Sequence, residues 1–213
     1  MGVTRAVIFD CDGVLVDTEL ISNTVLAGLL TQAGLPTTLE DCMRDYRGRS
    51  MTSVMALAAQ RHGAPLPADL PERYYADIKV VFTRELQPVA GVIEALDRIA
   101  LPACVASSGP HDKMAVTLGR TGLWERFEGR IFSATEVSRG KPAPDLFLHA
   151  ARAMGFDPAS TAVVEDSVPG VEAARAAGMR ALAFARDTDA AALAAAGGQP
   201  FDDMADLPGL LAA

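Results

Sequence analysis

The sequence is short of several things, and each shortage closes off a class of function. Its 213 residues include 3 cysteines, Cys11, Cys42 and Cys104, too few and too scattered for a disulfide framework. They form no C-x-x-C pair, and no histidine stands at zinc-ligand spacing from them. A reducing compartment is the simpler expectation. Basic charge is scarce as well: 19 Lys+Arg stand against 27 Asp+Glu, a formal net charge of -8. A nucleic-acid binder would carry a basic stripe, and an anionic membrane surface would demand one too. Neither nucleic acid nor membrane is expected as a partner. No apolar run approaches the roughly 18 residues that a membrane span needs. The opening MGVTRAVIFDCDG turns acidic at once, without a signal-peptide core and cleavage site. The expected location is cytoplasmic. A small anionic substrate stays open, because a local metal ion can reverse the field at one site.

What is present is a globular mixture, 50% hydrophobic and 22% charged, which excludes a disordered chain. Short continuous apolar runs recur at 5–9 (RAVIF), 102–107 (PACVAS), 161–164 (TAVV) and 180–184 (RALAF), with a weaker one at 130–133. Continuous rather than alternating runs fit strands buried on both faces, as in a parallel sheet. Helical stretches lie between them. Residues 110–120 open on Pro110, a favoured first helical residue. Residues 143–154 place Leu146, Phe147, Ala150 and Ala151 at helical spacing, and 168–177 stop at Gly178. The alternation predicts an α/β fold with a Rossmann-like parallel sheet.

From about 17 to 86 the alternation stops. Helical stretches at 18–33, 39–45, 50–62 and 69–85 are punctuated at Gly34-Leu35-Pro36, Gly63-Ala64-Pro65 and Pro67. This block reads as an all-helical insert, 17–86, on an α/β core built from 1–16 and 87–213. The Ala-rich stretch 190–196 reads as a surface helix.

Polar groups capable of chemistry follow the apolar runs. In FDCDGVLVDTE, residues 9–19, Asp10 and Asp12 stand where a buried strand ends. Carboxylates at i and i+2 share one face while extended geometry lasts. Two such acids repel unless a cation or a shared proton compensates; the plainer reading is an Asp-Gly turn. In VVEDSVPG, residues 163–170, Glu165 and Asp166 close a second run, with a helix N-cap at Asp166 or Ser167 as the plain alternative. In CVASSGP, Ser107, Ser108 and Gly109 precede a helix start, where hydroxyls and free N–H groups suit a phosphate; a Ser-rich turn explains them as well. Lys141, between Gly140 and Pro142, either holds a phosphate oxygen and balances carboxylates or is a solvated surface charge. Ligands of open α/β sheets bind at the carboxyl ends of strands, so all four segments can converge at one edge. Carboxylates, hydroxyls and a lysine there make a metal-plus-phosphate site, with one carboxylate as nucleophile.

The four segments, in this order, resemble the ordered motifs of the haloacid dehalogenase superfamily: D-x-D-G near the start, a Ser after the second strand, a Lys before a helix, and an E-D pair. With the helical insert, the likeness spans nearly the whole chain. It implies that Asp10 is the nucleophile and Asp12 the general acid/base with its backbone carbonyl on the metal. It implies that Ser107 and Lys141 hold phosphate, that Glu165 and Asp166 anchor Mg2+, and that the insert is a cap that closes over the site and excludes water. Members that cleave carbon–halogen bonds lack the second Asp, so Asp12 favours phosphoryl chemistry.

The likeness extends to the 6-phosphogluconate phosphatase and β-phosphoglucomutase branch. The mutase pattern has a His where this chain has Ser22 and an Arg where it has Met51; SSGPHDKM, residues 107–114, is similar to the phosphatase branch. The expected activity is Mg2+-dependent hydrolysis of a small phosphorylated sugar or sugar acid through an aspartyl-phosphate, with phosphosugar mutase as the alternative. A non-enzymatic phospho-accepting or effector-binding module is the alternative of another class; a receiver would place its acid pair before its phospho-accepting Asp and needs no cap. Candidate substrate ligands are Ser108, Gly109 and Lys113, with Arg47 and Arg49 in the insert. A monomer or weak dimer is expected. His62 and His149 read as structural or exposed, and His111 has no assigned role.

Overall fold

In the computed structural model, which describes residues 3–46 and 51–213, the chain divides into two compact units. One joins Met1–Asp17 to Gln87–Ala213, and the other is Thr18–Leu86.

The larger unit is built on a parallel sheet. Its strands are β1 (Ala6–Phe9), β2 (Ala103–Ser107), β3 (Ile131–Ser133), β4 (Thr161–Glu165), β5 (Arg180–Phe184) and β6 (Gln199–Phe201), in the order β3-β2-β1-β4-β5-β6. Ladders such as Phe9 against Val105 on one side and Val164 on the other put β1 at the centre. All four of its residues are buried, which is why the sequence shows a continuous apolar run there rather than an alternating one. The chain lays β2 and β3 to one side of β1, then returns to place β4 on the other. That reversal beside β1 is the position at which doubly wound sheets open a ligand crevice.

The smaller unit consists, among the described residues, of α1 (Glu19–Gln32), α2 (Leu39–Asp45), α3 (Met51–His62) and α4 (Leu70–Glu85). It has its own core, in which Leu26, Leu30, Cys42, Val54, Ala58 and Leu70 pack together. A reciprocal capping box between Thr38 and Asp41 starts α2, satisfying N–H groups that a helix start otherwise leaves open.

The larger unit adds α5 (Val92–Arg98), α6 (His111–Arg120), α7 (Trp124–Phe127), α8 (Asp145–Met154), α9 (Val168–Ala176), α10 (Ala190–Ala195) and α11 (Leu207–Ala212). On one face of the sheet, Ile8, Cys104, Ala106 and Val163 pack with Leu146 and Phe147 of α8 and with Val171 and Ala174 of α9. Burying Leu146 and Phe147 stabilises the unit by about 1.5–3 kcal/mol each.

Two details depart from expectation. Pro110 is not the first helical residue: its ψ of 159° is extended, and α6 begins at His111. The edge strand β6 was not foreseen, because Gln199-Pro200-Phe201 contains no apolar run and a proline, which only an edge position tolerates. The Ala-rich stretch forms the surface helix expected of it, with Leu193 as its buried residue. Among the described residues, no helix is long and apolar enough to cross a membrane.

Candidate active site

The ends of β1 and β4 set the site. Asp10 N donates to Val164 O at 2.9 Å, extending the ladder by one residue. The chain then curls: Leu15 N and Val16 N both donate to Cys11 O, at 2.9 and 3.0 Å, and Gly13 N donates to Val16 O. Gly13 has φ +78°, a left-handed conformation that glycine takes without strain. A β-carbon there would stand 2.2 Å from Asp166 Oδ2, so the D-x-D-G turn and the end of β4 touch at this residue.

Asp10, Glu165 and Asp166 are all buried. Each offers an oxygen, and these oxygens lie within 4.8 Å of one another. Lys141 joins them from the loop before α8. Its Nζ donates to Asp10 Oδ1 at 2.6 Å and to Glu165 Oε1 at 2.5 Å, with 7% of its side chain exposed. It also stands 5.0 Å from the centre of the Phe147 ring, a favourable place for a cation. The solvated surface lysine that the sequence left open is therefore excluded.

The electrostatics follow from this crowding. Burial pushes the Asp10 carboxyl up and Lys141 pulls it back. Glu165 and then Asp12 push it up again, and the balance reaches about 7 against an ordinary 3.8. Burial also works against the Lys141 ammonium, but Asp10 and Glu165 together hold it above the usual lysine range. The ammonium is therefore firm, and the cost falls on Asp10. Three buried carboxylates against one ammonium leave an excess of negative charge. An all-oxygen donor set of this kind fits a hard divalent cation.

Glu165 has a further task. Its Oε2 accepts from Ser167 N at 2.7 Å and Ser167 Oγ at 2.9 Å, while Ser167 Oγ accepts from Gly170 N at 3.1 Å. Ser167, not Asp166, is thus the N-cap of α9. A β-carbon on Gly170 would lie 1.9 Å from the Glu165 carboxylate, so the helix start packs directly on this acid.

The Asp12 side chain lies apart from these three carboxylates. Extended geometry ends at Asp10, so the i and i+2 side chains part. Asp12 Oδ2 accepts from Lys113 Nζ at 2.7 Å, and the side chain is not part of the cluster; the backbone carbonyl is what the residue can still offer a metal.

Ser107, at the end of β2, is buried, and its Oγ accepts from Gly109 N at 3.0 Å. That leaves its hydroxyl proton to donate. Gly109 lies in the crowded space between Ser107 and Lys113: a β-carbon there would meet Lys113 Cδ at 3.3 Å and Ser107 Oγ at 3.4 Å. Ser108 is exposed. Arg47 and Arg49 lie outside the described residues.

Sequence reasoning missed two supports of this loop. Ser133 Oγ donates to Gly109 O at 2.8 Å. Glu136 accepts from Ser133 N at 3.2 Å and pairs with His111 Nε2 at 2.8 Å and His149 Nε2 at 3.2 Å. His111 and His149 therefore brace the loop through one acid. The S-A-T-E spacing after β3 is a capping-box signal that could have revealed Ser133 and Glu136.

Comparison with known proteins agrees with this geometry. The profile of the haloacid dehalogenase-like hydrolases matches residues 4–178. A 6-phosphogluconate phosphatase of Escherichia coli K12 is 32% identical over 188 residues, covering 88% of this chain and 85% of that protein. A phosphorylated carbohydrates phosphatase of Thermotoga maritima is 31% identical over 191 residues, covering 84% and 83%. The crystal structure of a haloacid dehalogenase-like protein from Agrobacterium tumefaciens superposes with a TM-score of 0.90 at 35% identity, covering 98% of each chain.

Proposed function

The chain belongs to the haloacid dehalogenase-like hydrolases, and from that premise we propose that it is a Mg2+-dependent phosphatase of small phosphorylated sugars or sugar acids that works through an aspartyl-phosphate on Asp10. The observation that carries this reading is the buried Asp10 carboxylate, gripped at one oxygen by Lys141 and set beside Glu165 and Asp166.

Asp10 has one oxygen committed to Lys141 Nζ at 2.6 Å, and its other oxygen is the nucleophile toward phosphorus. Lys141 then carries its charge onto a phosphoryl oxygen, and the Ser107 hydroxyl donates to another. Asp12 gives its proton to the departing alcohol and takes one from the water that cleaves the acyl-phosphate. Asp10, Asp166 and the Asp12 carbonyl would hold Mg2+, with Glu165 beside them; the ion would supply charge neutralisation for the transferring group. Ser108 and Gly109 offer the loop's remaining donors to the substrate.

The alternative of mutase activity is weaker because Ser22 and Met51 replace the cations that would grip a second phosphate. Substrate choice is assigned to the helical unit acting as a cap, through Arg47 and Arg49. The protein acts as a monomer or weak dimer in the cytoplasm, with a small phosphorylated metabolite as its partner. The similarity to phosphatases of 6-phosphogluconate and of phosphorylated carbohydrates supports the substrate class.

The test is phosphate release with Mg2+ over 6-phosphogluconate, hexose phosphates, hexitol phosphates, phosphoglycolate and nucleotides, for the wild type and Asp10→Asn. Turnover of a sugar or sugar-acid phosphate, lost by more than about 1,000-fold in Asp10→Asn, is expected. Conversion of β-glucose 1-phosphate to glucose 6-phosphate without phosphate release would establish the mutase instead.

A further inference from the structure

Asp12 is held by a group outside the metal cluster. Its Oδ2 accepts from Lys113 Nζ at 2.7 Å, and its Oδ1 is buried and has no hydrogen-bond partner among the described residues. Lys113 stands in the first turn of α6, 101 positions along the chain. Its backbone N–H is fixed by Asp112 Oδ1 at 2.9 Å. Its stem passes Gly109, where a β-carbon would come 3.3 Å from Lys113 Cδ and 3.8 Å from Asp12 Oδ2. Side-chain exposures of 23% for Lys113 and 22% for Asp12 show that both turn away from water. A lysine serving only as surface charge would extend its ammonium outward.

We propose that Lys113 is a positioning residue for Asp12 rather than a substrate ligand: by holding Oδ2 it fixes the orientation in which the Asp12 carboxyl meets the leaving group. The proposal rests on the phosphatase reading above. In the first half-reaction, an Asp10 oxygen bonds to phosphorus and the phosphorus–oxygen bond to the alcohol breaks. The electron pair stays on the departing oxygen, and the proton from the Asp12 carboxyl completes the alcohol. Proton transfer needs hydrogen-bond reach and alignment. A carboxyl free to turn offers its oxygens at any angle; one held at Oδ2 meets the leaving group in a defined orientation.

The consequence depends on the leaving group. An alkoxide needs the proton as it departs, whereas p-nitrophenolate is stable as an anion. The value of kcat/KM reports the steps through departure of the leaving group, not the later hydrolysis of the acyl-phosphate. The experiment therefore compares kcat/KM on the best alkyl phosphate of the panel and on p-nitrophenyl phosphate, for the wild type, Lys113→Met, Lys113→Arg and Asp12→Asn, with melting temperatures alongside.

Lys113→Met should lose at least about tenfold on the alkyl ester and less than about threefold on the aryl ester, a fraction of what general acid catalysis contributes. Asp12→Asn should show the same leaving-group pattern more strongly, and Lys113→Arg should recover most of the alkyl activity. Equal losses of Lys113→Met on both esters, or no loss on either, would overturn the positioning role while leaving the phosphatase reading intact. A wild type inactive on every ester tested would overturn both.

Discussion

Gly13 and Asp166 approach so closely that a β-carbon on the glycine would lie 2.2 Å from the Asp166 Oδ2. The turn after β1 and the acid after β4 are therefore one unit, and the left-handed φ of +78° at Gly13 adds a second reason for glycine. Gly13→Ala should lower activity by more than about 100-fold and stability by more than about 1 kcal/mol, from backbone strain plus displacement of Asp166. Phosphate-release assays and urea unfolding check both. Near wild-type values would mean that the contact has no mechanical consequence.

Lys141 is the ammonium that both Asp10 and Glu165 use. Lys141→Met strips two buried carboxylates of their countercharge, which costs about 3 kcal/mol where one partner of a buried pair is removed. Urea unfolding in EDTA should show that loss, and added Mg2+ should restore part of it by supplying charge to the same acids. A variant as stable as the wild type in EDTA would contradict the pairing.

Chelation follows from the excess of carboxylate. EDTA should remove activity and Mg2+ should restore it. Mg2+ at about 100 times its Kd should stabilise the fold by about 2.7 kcal/mol, raising the Tm by about 5 °C or more in a chain of this size. Asp166→Asn should abolish most of that shift. Turnover unaffected by EDTA would remove the carboxylate cluster as a cation site.

Glu136 provides a test of pH dependence away from the metal ligands. Burial works to raise its carboxyl, but the hydrogen bonds from His111 and Ser133 N outweigh it and hold the group below its ordinary 4.5. The folded state therefore binds the proton less readily than the unfolded chain. The stability it contributes is present above about pH 4.5 and is lost as pH falls through the folded value. Glu136→Gln should lower the Tm by about 1–3 °C at pH 7, a half-exposed pair being worth little. The gap between variant and wild type should close below pH 4.5. A constant gap across pH would assign the effect to packing alone.

Much of the fold was legible because it rests on local rules. RAVIF, PACVAS and TAVV announced β1, β2 and β4 as continuous apolar runs, since both faces of a central parallel strand are covered. β6 was invisible because its pairing comes from the neighbouring strand and not from any property of Gln199-Pro200-Phe201. In the site, Asp10, Glu165 and Asp166 could be named because they stand at strand ends, and Lys141 because it stands between Gly140 and Pro142 before a helix. Ser133 and Glu136 were passed over because their contacts, to Gly109 and to His111 and His149, are made across elements.

The amino-acid order alone settled which acids and hydroxyls stand at the carboxyl ends of strands and which lysine precedes a helix, because periodicity and breakers act over a few residues. Partner choice was settled only by folding. Asp10 and Asp12 sit two positions apart, yet one pairs with Lys141 and the other with Lys113, separated from them by 131 and 101 positions. Side chains so distant in sequence meet only through the order in which strands pack. The turn at Gly13, held against Asp166, sends the two carboxylates to different lysines.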